Sequence, residues 1–312
     1  MKIGFLFPGQ GSQTVGMGKE LVEKYGVAKD IFARADQALG FDLTNLIFAG
    51  PEEELRKTTH TQPAILTTSI AFLAVLEKEG LKADIVAGHS LGEYGALVAA
   101  GVIAFEDAVR LVRKRGEFMQ EAVPLGEGSM AAILGMDRDT VIDVCDRASA
   151  LGVVQAVNFN CPGQIVIAGA AKAVEKAAEM LKSAGAKRTV MLPVSAPFHC
   201  TMMKPAAEKL GLELEKVKFY DAKIPVVANI NAEIMTHKDI IKAALVEQAA
   251  SPVLWEDCMQ TMINEGVQSF VEVGPGKVLS GFTKKIAKDA AMLNIEDIAS
   301  QEKTLAYFKE VR

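Results

Sequence analysis

Gly88-His89-Ser90-Leu91-Gly92 constrains this chain more than any other segment, because an apolar run over 84–88 enters it and a helix-forming run over 91–100 leaves it. Glycine, serine and glycine at alternate positions between a buried strand and a helix form the pattern of a nucleophile elbow. The chemistry needs this arrangement. A sharp turn lifts a hydroxyl clear of the sheet, and flanking glycines remove side chains that would collide. The amides that open the helix, with its positive dipole end, then face any oxyanion that develops. The same five residues also fit a tight strand-to-helix turn in which Ser90 merely caps the helix. Gly101 stands where a C-cap would close that helix.

Around this turn the pattern reads as a layered α/β protein. Residues 2–7 are an apolar run stopped by Pro8-Gly9, a buried strand entering a glycine-rich turn. Helices are expected over 18–38, 63–79 and 106–122. The grammar then changes. A strand over 129–134 precedes a helix over 139–150 that starts at an Asp. Strands over 153–159 and 164–168 flank the turn-rich Asn160-Cys161-Pro162-Gly163. A helix over 171–184 ends at Gly185, and a strand over 187–192 follows. That β-α-β-β-α-β order is the order of a ferredoxin-like unit. Beyond Pro193 come a strand over 225–228, helices over 238–249 and 254–265, and a strand over 270–273. Strands alternating with helices on both sides of the insert predict a mostly parallel sheet. The expected domains are 1–124 together with 196–312, and 125–195 as a small inserted unit. A chain of 312 residues exceeds the size at which one hydrophobic core stops growing, which agrees with that division.

A serine hydroxyl is a weak nucleophile and wants an adjacent base. The sequence holds 4 histidines, so the search is short. His60, in Thr58-Thr59-His60-Thr61, reads as a polar-loop residue, solvated or capping. His89 immediately precedes Ser90, and neighbours in such a turn point apart, so it reads as structural. His237 sits in a surface loop before a helix. His199 follows Ser195-Ala196-Pro197-Phe198, where the chain leaves the insert, and domain junctions are where clefts form. By elimination it is the best base, although a lone histidine is more often structural. No Asp or Glu is marked by spacing as the third member of a triad. Gln248 could orient the ring through its amide or its backbone carbonyl.

Several function classes drop out. Gly9-Gln10-Gly11-Ser12-Gln13 lacks the third glycine of a dinucleotide-binding turn. Gly274-Pro275-Gly276-Lys277 lacks the first glycine of a phosphate-binding loop, and Val278 stands where Ser or Thr is needed. No metal-ligand spacing is present, so neither a metal nor a permanently bound cofactor is expected. The net charge of −5 argues against a nucleic-acid partner. Arg110, Arg113, Lys114 and Arg115 do cluster, but within one helical stretch that reads as a solvated face. Cys145, Cys161, Cys200 and Cys258 are widely spaced with no CxxC, as reduced thiols of a cytoplasmic protein are. No stretch approaches the ~20 apolar residues of a membrane span, and the N-terminal apolar run is too short for a signal peptide. Cytoplasm is the expected compartment.

With these residues in view, the chain resembles the malonyl-CoA:acyl carrier protein transacylases. Phe7-Pro8-Gly9-Gln10-Gly11-Ser12-Gln13 is similar to the opening of that family. So are Gly88-His89-Ser90-Leu91-Gly92-Glu93, Arg115, Asn160 with Pro162, Ala196-Pro197-Phe198-His199 and Gln248, in the family's order and at about its spacing. The bacterial fatty-acid-synthesis enzymes resemble it most, and polyketide acyltransferase domains share the pattern. The resemblance implies a large α/β-hydrolase-like domain carrying an inserted ferredoxin-like domain. It implies transfer of a malonyl group from malonyl-CoA to the phosphopantetheine thiol of holo acyl carrier protein, through an ester on Ser90. Coenzyme A enters as a thioester substrate, and a monomer is favoured.

The resemblance also implies roles. Ser90 would be the nucleophile, His199 its base and Gln248 the residue that orients the ring. Gln10 and Leu91 would donate backbone N–H groups to an oxyanion, and Arg115 would hold the malonyl carboxylate. Gln62 and Asn160 match positions near the cleft. Phe198 resembles the choice that favours malonyl over methylmalonyl. Lys187, Arg188, Lys204, Lys284 and Lys285 are the expected candidates for docking an acidic carrier. Two other classes stand against this reading. An esterase or thioesterase would need an acid in the triad, a catalytic histidine near the C-terminus and often an HGGG-type loop; no histidine follows His237 and no HGGG occurs. A non-catalytic scaffold would work equally well without the Ser90 hydroxyl.

Overall fold

A computed structural model describes residues 1–194 and 196–311; Ser195, where the expected domain boundary falls, and Arg312 lie outside the described residues. The strands in chain order are β1 (Lys2–Phe7), β2 (Ile85–Gly88), β3 (Gly128–Leu134), β4 (Val154–Cys161), β5 (Gln164–Ala170), β6 (Arg188–Met191), β7 (Val226–Val227), β8 (Ile234–Met235), β9 (Val267–Val273) and β10 (Ala291–Ile295). They form two sheets. The larger has the order β10-β9-β1-β2-β7-β8, with every pairing parallel except β7 with β8. Its central strands are buried along their length, as near-continuous apolar runs such as Gly4-Phe5-Leu6-Phe7 and Ile85-Val86-Ala87 require. The helix Thr58–Lys78 is apolar nearly all round and correspondingly buried.

The smaller sheet has the order β4-β5-β3-β6 and is antiparallel throughout. Its side chains alternate between two destinations. Ile165 and Ile167 face the helices Arg138–Ala148 and Ala171–Ser183, where they pack with Val144, Val174 and Leu181. Val166 and Ala168 face the other way, toward Met119, Phe198 and Met203. That second face closes one side of a cleft. Strand β4 is also tied by backbone to the segment between the helices Lys238–Gln248 and Trp255–Asn264: Phe159 N–H donates to the Val253 carbonyl at 3.0 Å, and Val253 N–H to the Val157 carbonyl at 2.8 Å.

Several expectations need correction. The helix expected over 18–38 is two, Lys19–Lys24 and Gly26–Leu39, because Tyr25 is extended between them and its hydroxyl accepts from Gln301 Nε2 at 3.0 Å. A distant partner overrode local propensity. The helix expected to open at Pro63 begins a turn and a half earlier, at Thr58, so His60 is helical instead of lying in a polar loop. Leu55 and Glu54 carbonyls hold the added turn, accepting from Thr61 Oγ1 at 2.5 Å and meeting His60 Nδ1 at 2.9 Å. Asp137, not Asp139, caps Arg138–Ala148. Asn160 and Cys161 belong to β4, leaving Pro162-Gly163 as the hairpin turn.

The helices Lys204–Leu214, Val278–Ile286 and Ile298–Val311 and strand β10 were not anticipated. Val278–Ile286 lacks a local side-chain cap. Glu272 of β9 supplies one from a distance, accepting from Leu279 N (3.0 Å), Ser280 N (2.7 Å) and Ser280 Oγ (2.6 Å). Among the described residues no helix is long and apolar enough to cross a membrane.

The site-bearing turn depends on two glycines. A Cβ on Gly92 would lie 2.0 Å from the Phe7 carbonyl oxygen, and one on Gly88 would lie 1.9 Å from that of Gly92. Both obstacles are backbone, which cannot rotate aside. Gly92→Ala is therefore expected to cost about 3 kcal/mol or more, read as a lowered urea midpoint with an unchanged slope; an unaltered midpoint would show that β1 and the helix can separate freely.

Candidate active site

Strand β2 ends at Gly88, and His89 N–H makes one more parallel bond, to the Phe7 carbonyl at 3.0 Å. The chain then turns. Ser90 has φ 53 and His199 φ 64, so two non-glycine residues that meet at one point are both left-handed. Such residues cost about 1–3 kcal/mol each and persist only where their surroundings over-determine them. For Ser90 the clamp is Asn229. Its Oδ1 accepts from Ser90 N at 2.7 Å, and its Nδ2 donates to the Gly88 carbonyl at 2.8 Å.

From this turn a polar chain runs inward. Ser90 Oγ lies 2.6 Å from His199 Nε2, and His199 Nδ1 lies 2.9 Å from the Gln248 carbonyl. A carbonyl only accepts, so Nδ1 carries the ring proton and Nε2 is free to accept from the serine hydroxyl. Gln248 ends the helix Lys238–Gln248, whose last carbonyls have no helical partner, and His199 uses one of them. Burial, aided by the positive charge of Arg115, holds the His199 pKa down at about 3. The ring is therefore neutral across the physiological range.

Arg115 approaches from the helix Phe105–Glu121 and is 1% exposed. Its Nη2 donates to Ser90 Oγ at 3.1 Å and to Gln248 Oε1 at 3.0 Å, and its Nη1 donates to Gln62 Oε1 at 3.0 Å. These partners are a hydroxyl and two amide oxygens, not carboxylates, and Nε has no partner. Burial pulls its pKa down accordingly. A buried guanidinium of this kind is a receptor for an anion. A hydroxyl that donates its hydrogen bond to a neutral imidazole is a latent nucleophile. The two meet at one oxygen.

Ser90, His199 and Arg115 line a cleft of about 120 Å³ together with Gln10, Leu91, Gln62 and Phe198. The Gln10 side chain is tied back to Thr58 Oγ1 at 3.2 Å. Asn160 is placed differently: its Oδ1 meets His89 Nε2 at 2.9 Å. The β4–β5 register shifts between Phe159 and Cys161, which re-aims the intervening side chain. His89 also packs against Trp255, ring centroids 5.5 Å apart. His237 caps Lys238–Gln248, accepting from Asp239 N at 3.3 Å. The expected basic face is real for Arg110, Arg113 and Lys114, which pair with Asp107 and Glu117, but Arg115 of the same helix turns inward.

Two site residues had no role in the sequence reading: Asn229, which it did not mark, and Glu93, which it named only as the end of a motif. Asn229 lies in Ala228-Asn229-Ile230, with no local feature to mark it. Glu93 had a signal, a carboxyl in the first turn of an otherwise apolar helix. It is 1% exposed, and its Oε2 accepts from Gln248 Nε2 at 2.9 Å and Asn229 N at 3.2 Å.

Comparison with known proteins places the chain among relatives. Residues 4–304 match the model of the acyl transferase domain family. A malonyl CoA-acyl carrier protein transacylase of Bacillus subtilis (strain 168) is 53% identical over 310 residues, 99% of this chain and 98% of that protein. The crystal structure of a malonyl CoA-acyl carrier protein transacylase from Clostridium perfringens is 49% identical with a TM-score of 0.97, covering 100% of this chain and 98% of the other. A malonyl-transacylase solved in complex with its type II PKS acyl-carrier protein is 45% identical with a TM-score of 0.96, covering 98% and 100%.

The depressed His199 pKa has a direct readout. Its ring resonances, assigned by their loss in His199→Gln, should not undergo the full shift of imidazole protonation between pH 8 and pH 5, where an exposed imidazole titrates completely. A midpoint near 6.5 would mean that the ring is open to water.

Proposed function

Because this chain belongs to the acyl transferase domain family, and within it to the malonyl-CoA:acyl carrier protein transacylases, we propose that Ser90, His199 and Arg115 carry its reaction. The chain transfers a malonyl group from malonyl-CoA to the phosphopantetheine thiol of acyl carrier protein. The observation that supports these roles most is Arg115, buried beside Ser90 Oγ with amide oxygens where a carboxylate would be expected.

In the first half-reaction Ser90 Oγ attacks the thioester carbonyl and its proton passes to His199 Nε2. The oxyanion is met by the backbone N–H groups of Gln10 and Leu91, a kind of contact worth about a hundredfold or more in rate. Collapse breaks the carbon–sulfur bond, the imidazolium returns its proton to sulfur, and coenzyme A leaves. A malonyl ester remains on Ser90. In the second half the carrier thiol attacks that ester and gives its proton to His199, and collapse returns a proton to Ser90 Oγ. Double displacement of this kind gives ping-pong kinetics. Gln248 keeps the proton on Nδ1, so Nε2 is always the nitrogen that exchanges it.

Arg115 supplies selectivity. A planar guanidinium grips a carboxylate through two parallel hydrogen bonds. An acetyl group leaves the buried charge unmet, a penalty of roughly 3–5 kcal/mol at full burial. Gln62 holds the far side of the guanidinium, and Phe198 bounds the acyl group. Asn160 acts through His89, steadying the residue before the nucleophile.

The finer architecture belongs to the same proposal. Residues 1–124 and 196–312 would form the α/β-hydrolase-like domain, and 125–195 the ferredoxin-like one, a reading supported by the strand order β4-β5-β3-β6. Fatty-acid assembly is the proposed pathway. Lys187, Arg188, Lys204, Lys284 and Lys285 are exposed, as docking of an acidic carrier requires.

Intact-mass measurement after mixing with malonyl-CoA tests the nucleophile. The parent should gain one malonyl group and Ser90→Ala none; an adduct on both would remove Ser90 from the mechanism. Arg115→Ala should cut the preference for malonyl-CoA over acetyl-CoA by about tenfold or more, measured as the ratio of the two kcat/KM values. A preserved ratio would place carboxylate recognition elsewhere.

A further inference from the structure

A serine–histidine pair ordinarily has a carboxylate behind the imidazole, and here the atom behind His199 is a backbone carbonyl. A carboxylate is nevertheless present one residue further back. We propose that Glu93 is the positioning residue of this site, anchoring Gln248 and Asn229 and through them both the His199 imidazole and the Ser90 backbone. The inference rests on the catalytic reading above.

The hydrogen bonds argue for it by polarity. An ionised carboxylate only accepts and a guanidinium only donates. The Gln248 side-chain amide lies between the two, giving Nε2–H to Glu93 Oε2 at 2.9 Å and taking Nη2–H of Arg115 on Oε1 at 3.0 Å. Its second N–H goes to the Ser90 carbonyl at 2.9 Å. Every polar atom of that side chain is engaged, and its orientation is dictated at both ends. The Gln248 backbone carbonyl, which fixes the tautomer of His199, is held in place by its own side chain.

The same Glu93 oxygen accepts from Asn229 N at 3.2 Å, and Asn229 clamps the strained Ser90 turn from both sides. One carboxylate oxygen thus ties the base to the nucleophile. Position favours it, because Glu93 lies in the first turn of the helix Gly92–Ala99, where negative charge is stabilised.

The charge state of this anchor is open to test. The titratable or charged groups around Glu93 are Arg115, Tyr94 beside it on the helix, and Cys258 from the helix Trp255–Asn264. Burial raises Tyr94 to about 12 and Cys258 well above its usual range, so both stay neutral near pH 7. Arg115 stays charged, and His199 titrates far lower. Burial pushes the Glu93 carboxyl up to about 7 against the pull of Gln248, Asn229 and Arg115. Within this cluster Glu93 is the group that titrates around neutrality; Glu272, also raised to about 7, caps the helix Val278–Ile286 and is left intact in Glu93→Gln, so the difference between the two proteins reports Glu93. Protonation turns its charge-assisted bonds into weaker neutral ones, and Glu93→Gln imitates that state at every pH.

The experiment is the rate of malonyl-adduct formation at Ser90 from pH 6 to pH 8, by quenched mixing and intact mass, counted per site that can be acylated. The parent should slow by about fivefold from pH 8 to pH 6, the span reached by a group titrating near 7 whose protonated form is about tenfold slower, the scale of one charge-assisted bond weakened. Glu93→Gln should be flat and close to the parent's value at pH 6. Titration of malonyl-CoA itself is common to both proteins. The same fall in the variant overturns the proposal, and so does a flat parent profile, whether or not the variant folds. Absence of any adduct on the parent at pH 8 is a different failure, one of the catalytic reading.

Discussion

A guanidinium held out of water without a carboxylate against it is the interaction on which this structure turns. Such a group is costly to bury, and here amide and hydroxyl oxygens offset the cost: Gln62 and Gln248 from two helices, and Ser90 from the elbow. Each of those partners is in turn fixed by something else. Gln248 is held by Glu93, Ser90 by Asn229 and His199, and Gln62 by its place on the long buried helix Thr58–Lys78. The cleft is thus organised around this guanidinium, with Ser90 Oγ and Gln248 Oε1 sharing one of its nitrogens as donor.

The rest of the fold serves that point. Parallel strands bring their carboxyl ends to one edge, and Ser90 stands just beyond the end of β2, near the middle of the sheet. The close approach of Gly92 to the Phe7 carbonyl sets the helix directly against β1, so the amides that open the helix and the loop after Phe7 reach the same cleft. The outward face of the smaller sheet supplies the opposite wall through Met130 and Val166. Between the two walls the cleft is narrow, about 120 Å³.

How much of this could be read in advance depended on range. Gly88-His89-Ser90-Leu91-Gly92 is local, and so is the apolar, β-branched run of Gln164 to Ala168; both declared the element they belong to. His199 was reached by elimination among few histidines and lies within hydrogen-bonding distance of Ser90. What stayed hidden was whatever two distant segments decide together. Glu272 caps a helix from another strand, Tyr25 breaks a helix because Gln301 engages it, and Asn229 clamps a turn 139 residues away. Arg115 is the sharpest instance. It looks like its basic neighbours along the chain, and only the packing of its helix against Thr58–Lys78 shows that it alone turns inward.

The backbone seam along β4 carries a mechanical consequence. Strand β4 is stitched by backbone to Val253, five residues beyond Gln248, and through Asn160 it grips His89, the residue before Ser90. The smaller sheet is therefore bonded both to the residue before Ser90 and to the segment that follows Gln248, whose carbonyl meets His199. A shift of that sheet is felt at His89 and Val253 together, so the wall of the cleft and the turn that carries Ser90 are mechanically coupled.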